Sequence, residues 1–385
     1  MSAVNFDEDA NEIHAICENL AERLWKKGDQ WLEASTSKPK YFEFTPVELH
    51  AITERLKLPE PTCASDQCLD IGHIVDFLAN VLHLKVRGSK GNVGSSNIPV
   101  NGLQFSLAPC KQVKSLWLRD AQAKAIDDLG SLKSSVKMLS VHYSLDTLGD
   151  LLNDRIEAPL PVQLSQMEQW IELVEADFSF NTLKEIDESV ALLRRVERLN
   201  LSHNCLNDIG AHLQHLPCLT ELNLSFNGLE TLAMWHARLG NVKKLLLQGN
   251  SVRSLKGLSK LYSLEYLDVR DNALVQVTDV WPVGCLPCLG TLLLGGNQVQ
   301  STIEYRTRIL EAFGDRANEV VLDEDKASQR ELDMVGVRLA IRKAKEEKEK
   351  LLEKTRLQIG EKLRMLSDDA HYSSVADTPD CNTSS

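Results

Sequence analysis

A repeated pattern of apolar and polar residues runs through the middle of the chain. The template L-x-x-L-x-L-x-x-N-x-L matches six times, with its asparagine at Asn181, Asn204, Asn227, Asn250, Asn272 and Asn297. Successive asparagines lie 23, 23, 23, 22 and 25 residues apart. This is the spacing of the leucine-rich repeat, whose units stack into a solenoid. Because six copies agree at several positions each, the pattern predicts that fold specifically.

Elementary physical chemistry accounts for the positions that recur. The L-x-L segment, such as Leu222 and Leu224, predicts a short strand whose alternate side chains point inward. One repeat cannot bury that face alone, so neighbouring repeats share a continuous core. The turn after each strand would leave buried backbone groups without partners, and an asparagine side chain can bond them and link to the next repeat. The sequence therefore predicts a column of stacked asparagines.

Weaker repeats precede the regular ones. Two upstream segments match the apolar frame 23 residues apart, through Val113, Leu116 and Leu118 and then Val136, Leu139 and Val141. Ala121 and Ser144 stand where asparagine is expected in these segments, and Leu84 with Val86 predicts a still earlier strand. The period breaks between Asp146 and Gln169, which predicts an inserted loop or helix.

Helical patterns flank the repeats at the N-terminal end. Residues 7–34 carry apolar side chains at helical intervals, and a second helix is predicted from Thr45, which forms a capping box with Glu48. A third helix is predicted in "GHIVDFLANVLHL". Together these helices predict a cap over the apolar edge of the first repeat.

The C-terminal end shows a second cap and a long helix. A helix carrying Tyr305, Ile309 and Phe313 and a strand at Val321 and Leu322 are predicted to close the core. A capping box of Ser328 and Glu331 predicts the start of a helix that runs to about Leu366. Its charged middle, "RKAKEEKEKLLEKTR", is typical of a solvated helix or short coiled coil, or of a docking segment for a partner.

The predicted architecture is an α/β leucine-rich-repeat solenoid with an N-terminal helical cap, a C-terminal cap and a long C-terminal helix. The predicted segments are the N-terminal cap over 1–80, degenerate repeats with an insertion over 81–165, regular repeats and C-terminal cap over 166–325, the charged helix over 326–366 and a disordered tail over 367–385.

Composition narrows the functional classes. The chain has 385 residues and a formal net charge of −12, which argues against general nucleic-acid binding. No apolar run approaches the roughly 20 residues of a membrane span. The acidic, polar N-terminus is not a secretory signal, so the nine cysteines are expected to be reduced thiols in the cytosol.

The pair Cys285 and Cys288 has the C-x-x-C spacing of metal and redox sites. A second "LPCL" shows, however, that Cys218 and Cys288 occupy the same repeat position. The other close pair, Cys63 and Cys68, has four residues between its members and does not complete a zinc ribbon. We therefore favour buried or partly buried thiols and predict neither metal nor cofactor. No nucleophile-elbow motif or paired carboxylates indicate catalysis, and the protein is not expected to be an enzyme.

The concave side of the solenoid offers a binding surface instead. Leu246, Tyr266 and Leu293 are apolar at strand positions where water is expected, and charged residues surround them. Such a patch is typical of protein interfaces, although scattered exposed apolar residues are also normal. The candidate protein-binding residues are Trp117, Arg198, Lys244, Leu246, Tyr266, Asp268, Arg270 and Leu293.

Longer runs resemble one family more closely than the repeat alone does. The chain resembles nischarin in "LGNVKKLLLQGNSVRSLKGLSKLYSLEYLDVRDN", "IEYRTRILEAFGDRANEVVLDE" and "ELDMVGVRLAIRKAKE". It looks like the same family in "FNTLKEIDESV", "PTCASDQCLDIGHIVDF" and "LHLKVRGSKGNVGSSNI". The resemblance extends over nearly the whole chain up to about residue 350.

This resemblance implies a cytoplasmic, endosome-associated scaffold. The implied partners are integrin alpha-subunit tails, Rac, p21-activated kinase and Rab-type GTPases, and the implied effect is restraint of kinase signalling and cell migration. The family's phosphoinositide-binding PX domain has no Arg-rich signature here, so direct lipid binding is not expected. The alternative function is a regulatory subunit of a phosphatase or another enzyme that binds through the concave face.

Overall fold

The structure is a computed structural model, and it describes residues 6–37, 40–57, 70–93, 97–153 and 168–373. Its helices are α1 Phe6–Ser37, α2 Pro46–Lys57, α3 Ile71–Asn80, α4 Gly130–Lys133, α5 Gly149–Leu152, α6 Trp235–Arg238, α7 Val277–Val280, α8 Tyr305–Glu311 and α9 Gln329–Ser373. Short 3₁₀ turns, such as Glu188–Leu192 and His212–His215, lie on the side of the repeats opposite the strands.

One twelve-stranded sheet runs the length of the solenoid. Its strands, in spatial order, are β1 Phe42–Phe44, β2 His83–Arg87, β4 Ser115–Arg119, β6 Met138–His142, β7 Glu175–Asp177, β8 Arg198–Asn200, β9 Glu221–Asn223, β10 Lys244–Leu246, β11 Tyr266–Asp268, β12 Thr291–Leu293, β13 Val321–Leu322 and β14 Asp325–Lys326. Every pairing is parallel except the last, between β13 and β14. A separate parallel pair joins β3 Phe105–Ser106 to β5 Ile126–Asp127. The predicted α/β leucine-rich-repeat solenoid with two caps and a long C-terminal helix is confirmed.

The column of asparagines is the internal support of the repeats. Asn250, which is 8% exposed, donates to the carbonyl oxygens of Leu224 (3.0 Å) and Leu247 (2.9 Å) and accepts from the Leu229 N–H (3.1 Å). Asn181, Asn204, Asn227, Asn272 and Asn297 each bond the preceding repeat in the same way. Each amide therefore ties its own turn to the repeat before it.

The degenerate repeats lack this column but keep the strands. Ser144 stands in the asparagine position, and its hydroxyl donates to the His142 carbonyl and accepts from the Ala121 N–H. Despite the long segment between them, β6 pairs directly with β7, with Met138 opposite Glu175. The predicted insertion between Asp146 and Gln169 begins with α5, and residues 154–167 lie outside the described part of the chain.

The N-terminal cap combines helices with an additional strand. The capping box at α2 is present: the Thr45 N–H donates to the Glu48 carboxylate (2.8 Å), and the Glu48 N–H donates to the Thr45 hydroxyl (3.2 Å). Sequence analysis did not predict β1, which pairs with β2 in register from Phe42 opposite Leu84. The Phe42 ring packs against those of Trp31 (5.1 Å) and Phe77 (4.6 Å), so α1, β1 and α3 share one aromatic cluster.

Arg306 links three elements of the C-terminal cap. Arg306 of α8 donates to the carbonyl oxygen of Leu322 (2.7 Å) and to the carboxylate of Glu331 (2.8 Å), which joins α8, β13 and α9. Val335 and Leu339 bury the first turns of α9 in the core. The helix then continues to Ser373 rather than ending near Leu366, and its described side chains from Lys343 to Lys362 are exposed.

The cysteines depart from the sequence-based expectation. Cys218, Cys285 and Cys288 were expected to be buried or partly buried, but all three are exposed. For Cys218 and Cys288, in each "LPCL" the two leucines enter the core and the Pro-Cys pair lies in the turn between them, whereas Cys285 lies in the turn just before Leu286. Within the described ranges no three His, Cys, Asp or Glu side chains are placed to hold a metal ion. The Cys63/Cys68 pair lies outside the described residues.

We expect Asn250→Ala to lower the free energy of unfolding by about 1–3 kcal/mol, since two buried carbonyls and one N–H lose their partner. Urea unfolding followed by circular dichroism measures this. Asn207→Ala, at an exposed asparagine, is the matched control and is expected to change stability by less than about 0.5 kcal/mol. Equal losses in the two variants would contradict a supporting role for the column.

We expect the thiols to separate into two classes in a labelling experiment. Burial raises the pKa of Cys17 to about 11 and that of Cys110 to about 12, so neither forms appreciable thiolate at pH 8. Cys205, Cys218, Cys285 and Cys288 are exposed and are expected to react first with a thiol reagent. Peptide mass spectrometry over a time course gives the order of modification, with a urea-unfolded sample as the control. Early labelling of Cys110 in the folded protein would contradict this burial.

Candidate protein-binding face

In each of the three-residue strands β7 to β12, the middle side chain enters the core, and the first and third lie on one outer surface, the concave face. Strand register sets Lys244 of β10 beside Tyr266 of β11, and Leu246 beside Asp268. On the next strand, β12, Leu293 lies opposite Asp268. The structure thus brings six of the eight candidate residues together. Lys244, Leu246, Tyr266, Asp268 and Leu293 lie on β10–β12, and Arg270 follows two residues after the end of β11.

The other two candidates lie elsewhere on the face. Arg198 begins β8, which β9 separates from β10, and Trp117 lies on β4 near the N-terminal cap. The Lys85 ammonium sits over the Trp117 ring at 4.5 Å from its centroid. Such a cation–π contact covers one face of the indole, so this tryptophan forms part of a separate local cluster.

A depression of about 280 Å³ marks the centre of the β10–β11 group. Half-buried Leu246 and Tyr266 line it together with Lys244 and Arg270, whose side chains are 42% and 36% exposed. His203 and Phe226, which come from the turns after β8 and β9, close the N-terminal side. The depression therefore combines apolar surface with a charged border. We name it the concave depression.

Two candidate residues are less accessible than sequence analysis expected. Asp268 and Leu293 are each 4% exposed, which leaves little of either side chain for a partner to contact. The Asp268 carboxylate is occupied within the fold, since it accepts from the Arg270 backbone N–H (3.1 Å) and the Arg270 guanidinium (2.7 Å). Leu293 ends β12, next to the point where β13 and β14 close the sheet. Exposure of both residues was expected from their strand position, and that expectation is wrong.

A structural role explains the polar residues in the middle of the face. Asp177, Asn200 and Asn223 occupy the same strand position as Asp268, and each accepts a hydrogen bond from the backbone N–H two residues later, at 3.0–3.1 Å. The repeated bond fixes the direction of the chain as it leaves each strand. A side-chain oxygen of each residue is therefore already hydrogen-bonded within the turn.

Ion pairs between neighbouring strands neutralise most of the charge on the face. Arg198 pairs with Glu175, and Lys244 pairs with Glu221 at 2.7 Å while its ammonium lies 5.7 Å from the Tyr266 ring centroid. The hydrogen-bonded Asp268 carboxylate raises the pKa of the Arg270 guanidinium, which keeps that side chain charged. Exposed pairs of this kind contribute about 0–1 kcal/mol each, so their effect is to orient side chains.

A second depression, of about 330 Å³, lies over β6–β9 and was not predicted from the sequence. Glu175, Asp177, Arg198 and Glu221 line it. Burial acts to raise the pKa of Asp177, but hydrogen bonds from His142 and Ser179 outweigh it and hold the pKa below its usual value. Asp177 thus stays ionised beside His142, 3.4 Å away.

A line of aromatic side chains along the edge of the face was also not predicted from the sequence. Tyr143, Phe180, His203 and Phe226 each stand directly before the asparagine position of their repeats. Their rings follow one another at 4.2–5.8 Å between centroids. The signal was present in the aligned repeats, at a position that the leucine-and-asparagine template leaves undefined.

Comparison with known proteins identifies the same repeats. Residues 173–229 match the family described as "Leucine rich repeat". The chain is 30% identical over 266 residues to "Serine/threonine-protein kinase 11-interacting protein" of Homo sapiens, covering 68% of this chain and 23% of that protein. The protein of the same name from Mus musculus is 30% identical over 264 residues, again 68% of this chain and 23% of the relative. The chain thus spans about a quarter of the length of these relatives.

Among solved structures, an internalin of Listeria monocytogenes is 19% identical, with a TM-score of 0.38 over 59% of this chain and 65% of that one. That similarity is too low to bear on function. Over the described ranges, none of the helices is both long and apolar enough to cross a membrane. The repeat geometry and the matched repeat family together show that the chain is a leucine-rich-repeat protein, similar in sequence to serine/threonine-protein kinase 11-interacting protein.

Proposed function

We propose that the protein is a non-catalytic scaffold that binds a partner protein in the concave depression. One observation carries this proposal: Leu246, Tyr266 and Phe226 converge in a depression of about 280 Å³, bordered by Lys244 and Arg270. Apolar and aromatic groups at the centre with charged groups at the rim are the composition of interface hot spots. Lys244 is already oriented by its pair with Glu221 on the neighbouring strand, and Arg270 by its pair with Asp268 two residues before it, so a partner meets a preorganised surface.

The proposed partners are a serine/threonine protein kinase and the proteins that control it. The curated relatives are named for interaction with serine/threonine-protein kinase 11. The resemblance to nischarin separately implies p21-activated kinase, together with Rac, Rab-type GTPases and integrin alpha-subunit tails. The names of the relatives and the resemblance to nischarin both favour a role in kinase signalling. On this proposal the protein acts in the cytoplasm and on endosomes, where it restrains signalling by Rac and p21-activated kinase and thereby cell migration.

We expect the double change Leu246→Ala and Tyr266→Ala to weaken kinase binding at least about tenfold, because it removes one apolar and one aromatic side chain that line the concave depression. Surface plasmon resonance with the purified chain and purified serine/threonine-protein kinase 11 or p21-activated kinase measures the affinity. Rac, a Rab-type GTPase and an integrin-tail peptide are assayed in parallel.

Tyr262→Ala is the matched control, since this tyrosine is 58% exposed and lies between the turn Lys256–Leu258 and β11, away from the concave depression. It is expected to leave affinity unchanged, and all variants are checked for an unaltered unfolding midpoint. Undiminished binding by the double variant would contradict the proposed site. Absence of binding to every kinase, with phosphatase activity copurifying in stoichiometric amount, would favour the regulatory-subunit alternative.

A further inference from the structure

Three of the four aromatic side chains at the edge of the face are stacked, and the ring of the fourth, Tyr143, is tilted by 33° against Phe180; together the four form the aromatic column. The His203 ring lies between Phe180 (4.2 Å, 9°) and Phe226 (4.4 Å, 13°), and Tyr143 extends the stack beyond Phe180 at 5.8 Å. Tyr143 is 51% exposed, Phe180 40% and Phe226 43%. The stacked faces cover each other, so the ring edges form an apolar strip that faces solvent along the axis of the solenoid.

The backbone does not favour aromatic residues at these positions. All four have positive φ, between 53° and 56°, a region that bulky side chains rarely adopt. Later repeats place Gly249 and Gly296 at the same position, with φ of 69° and 75°. The sequence thus keeps large exposed rings where glycine fits the turn without strain. An exposed apolar strip maintained against local conformational preference points to a binding role.

Depressions lie at both ends of the aromatic column. The concave depression borders His203 and Phe226, and one of about 610 Å³ borders Tyr143, Phe180 and His203. Three aspartates line the larger one, against Lys90 and Lys124. Lys124 is shared between Asp146 (3.8 Å) and Asp150 (3.4 Å), and Asp120 lies 3.5 Å from the Arg119 guanidinium. The Asp146 carboxylate is 78% exposed, so this end of the column can accept a cation from a partner.

We propose that the aromatic column binds an extended, proline-rich peptide of a partner protein, with a basic residue next to Asp146 and Asp150. Two steps of the column, 4.2 Å and 4.4 Å, nearly match one turn of a polyproline II helix, which rises roughly 9 Å over three residues. Prolines one turn apart can therefore lie on alternate rings, Phe180 and Phe226. Aromatic-lined grooves are the surfaces that such peptides use elsewhere.

The chemistry of the ring edges agrees with this ligand. Ring edges carry partial positive charge, and a polyproline II backbone has carbonyl oxygens that are not hydrogen-bonded internally. An α-helix offers no comparable row of free carbonyls, because its own turns bond them. The aspartates supply the counter-charge for an arginine, whereas they would repel a phosphate backbone. The column belongs to the turns and not to a sheet edge, so strand addition is not available here.

The test uses the purified full chain and a fluorescein-labelled peptide, Arg-Ala-Pro-Pro-Ala-Pro-Pro-Ala-Pro, followed by fluorescence polarisation. We expect saturable binding that weakens at least about tenfold in Phe180→Gly and in Phe226→Gly. Glycine suits the positive φ of these positions, as Gly249 does in the same turn, so both variants are expected to fold. Phe180 does not line the concave depression, so its variant separates this surface from the kinase-binding proposal, and kinase binding is expected to survive it.

Three controls make the result decisive. Tyr262→Ala removes an exposed aromatic outside the column and is expected to leave peptide affinity unchanged. Replacing the prolines of the peptide by alanine is expected to abolish binding. Asp146→Asn is expected to weaken binding of the arginine-containing peptide and to leave unchanged the binding of a peptide in which alanine replaces the arginine. The chain's own Pro159 and Pro161 are changed to alanine in a further variant. A rise in peptide affinity there would mean that the column takes this chain's own segment, which overturns binding of a partner.

Absence of saturable binding to the wild-type chain, or equal binding by the wild type and the Phe180→Gly variant, would also overturn the proposal. So would a loss of self-association on sedimentation of the Phe180→Gly variant, because the column would then contact a second copy of the chain.

Discussion

The solenoid depends on satisfying the backbone groups that each turn buries. A strand of three residues cannot pair all the carbonyls and N–H groups of the turn that follows it, and an unpaired buried group costs about 1–3 kcal/mol. The asparagine column supplies those partners, with Asn204 and Asn227 both bonding the preceding repeat at 3.0 Å. The same bonds fix the distance between repeats. The surfaces of the regular repeats take their spacing from these bonds.

Both candidate binding surfaces follow from that spacing. On the sheet, the parallel register lines up Lys244 with Tyr266 and Leu246 with Asp268, so a mixed apolar and charged patch forms from residues about 20 positions apart. At the turns, the residue before each asparagine is held at positive φ, and aromatic rings at that position stack because the repeats are close together. One backbone constraint thus produces a concave face and, beside it, an aromatic column.

The ends of the repeat array need different solutions because they have only one neighbour. At the N-terminus, β1 pairs with β2 and the aromatic cluster around Phe42 covers the first repeat. At the C-terminus, β14 turns back antiparallel on β13, and Arg306 links that hairpin to α8 and α9. Burial would raise the pKa of Glu331, but the Ser328 N–H and the Arg306 guanidinium hold it below its usual value, so the pair remains ionised. The added strand and aromatic cluster at one end, and the hairpin with Arg306 at the other, cover the core where no further repeat does.

Features that depend on residues close in sequence, or at a fixed period, were determined by the sequence alone. The strands of the repeats, the asparagine column and the capping boxes at Thr45 and Ser328 are of this kind, because each arises from a local turn, a helix end or one repeated register. Tertiary structure decided what depends on neighbours from other segments. Asp268 is buried between the neighbouring strands β10 and β12, and Leu293 is buried where the last strands close the sheet. The leucines beside Cys288 enter a core that other repeats complete, which leaves the Cys288 side chain exposed. The aromatic column belongs to the same class, since its rings meet only once stacking brings residues from four repeats together.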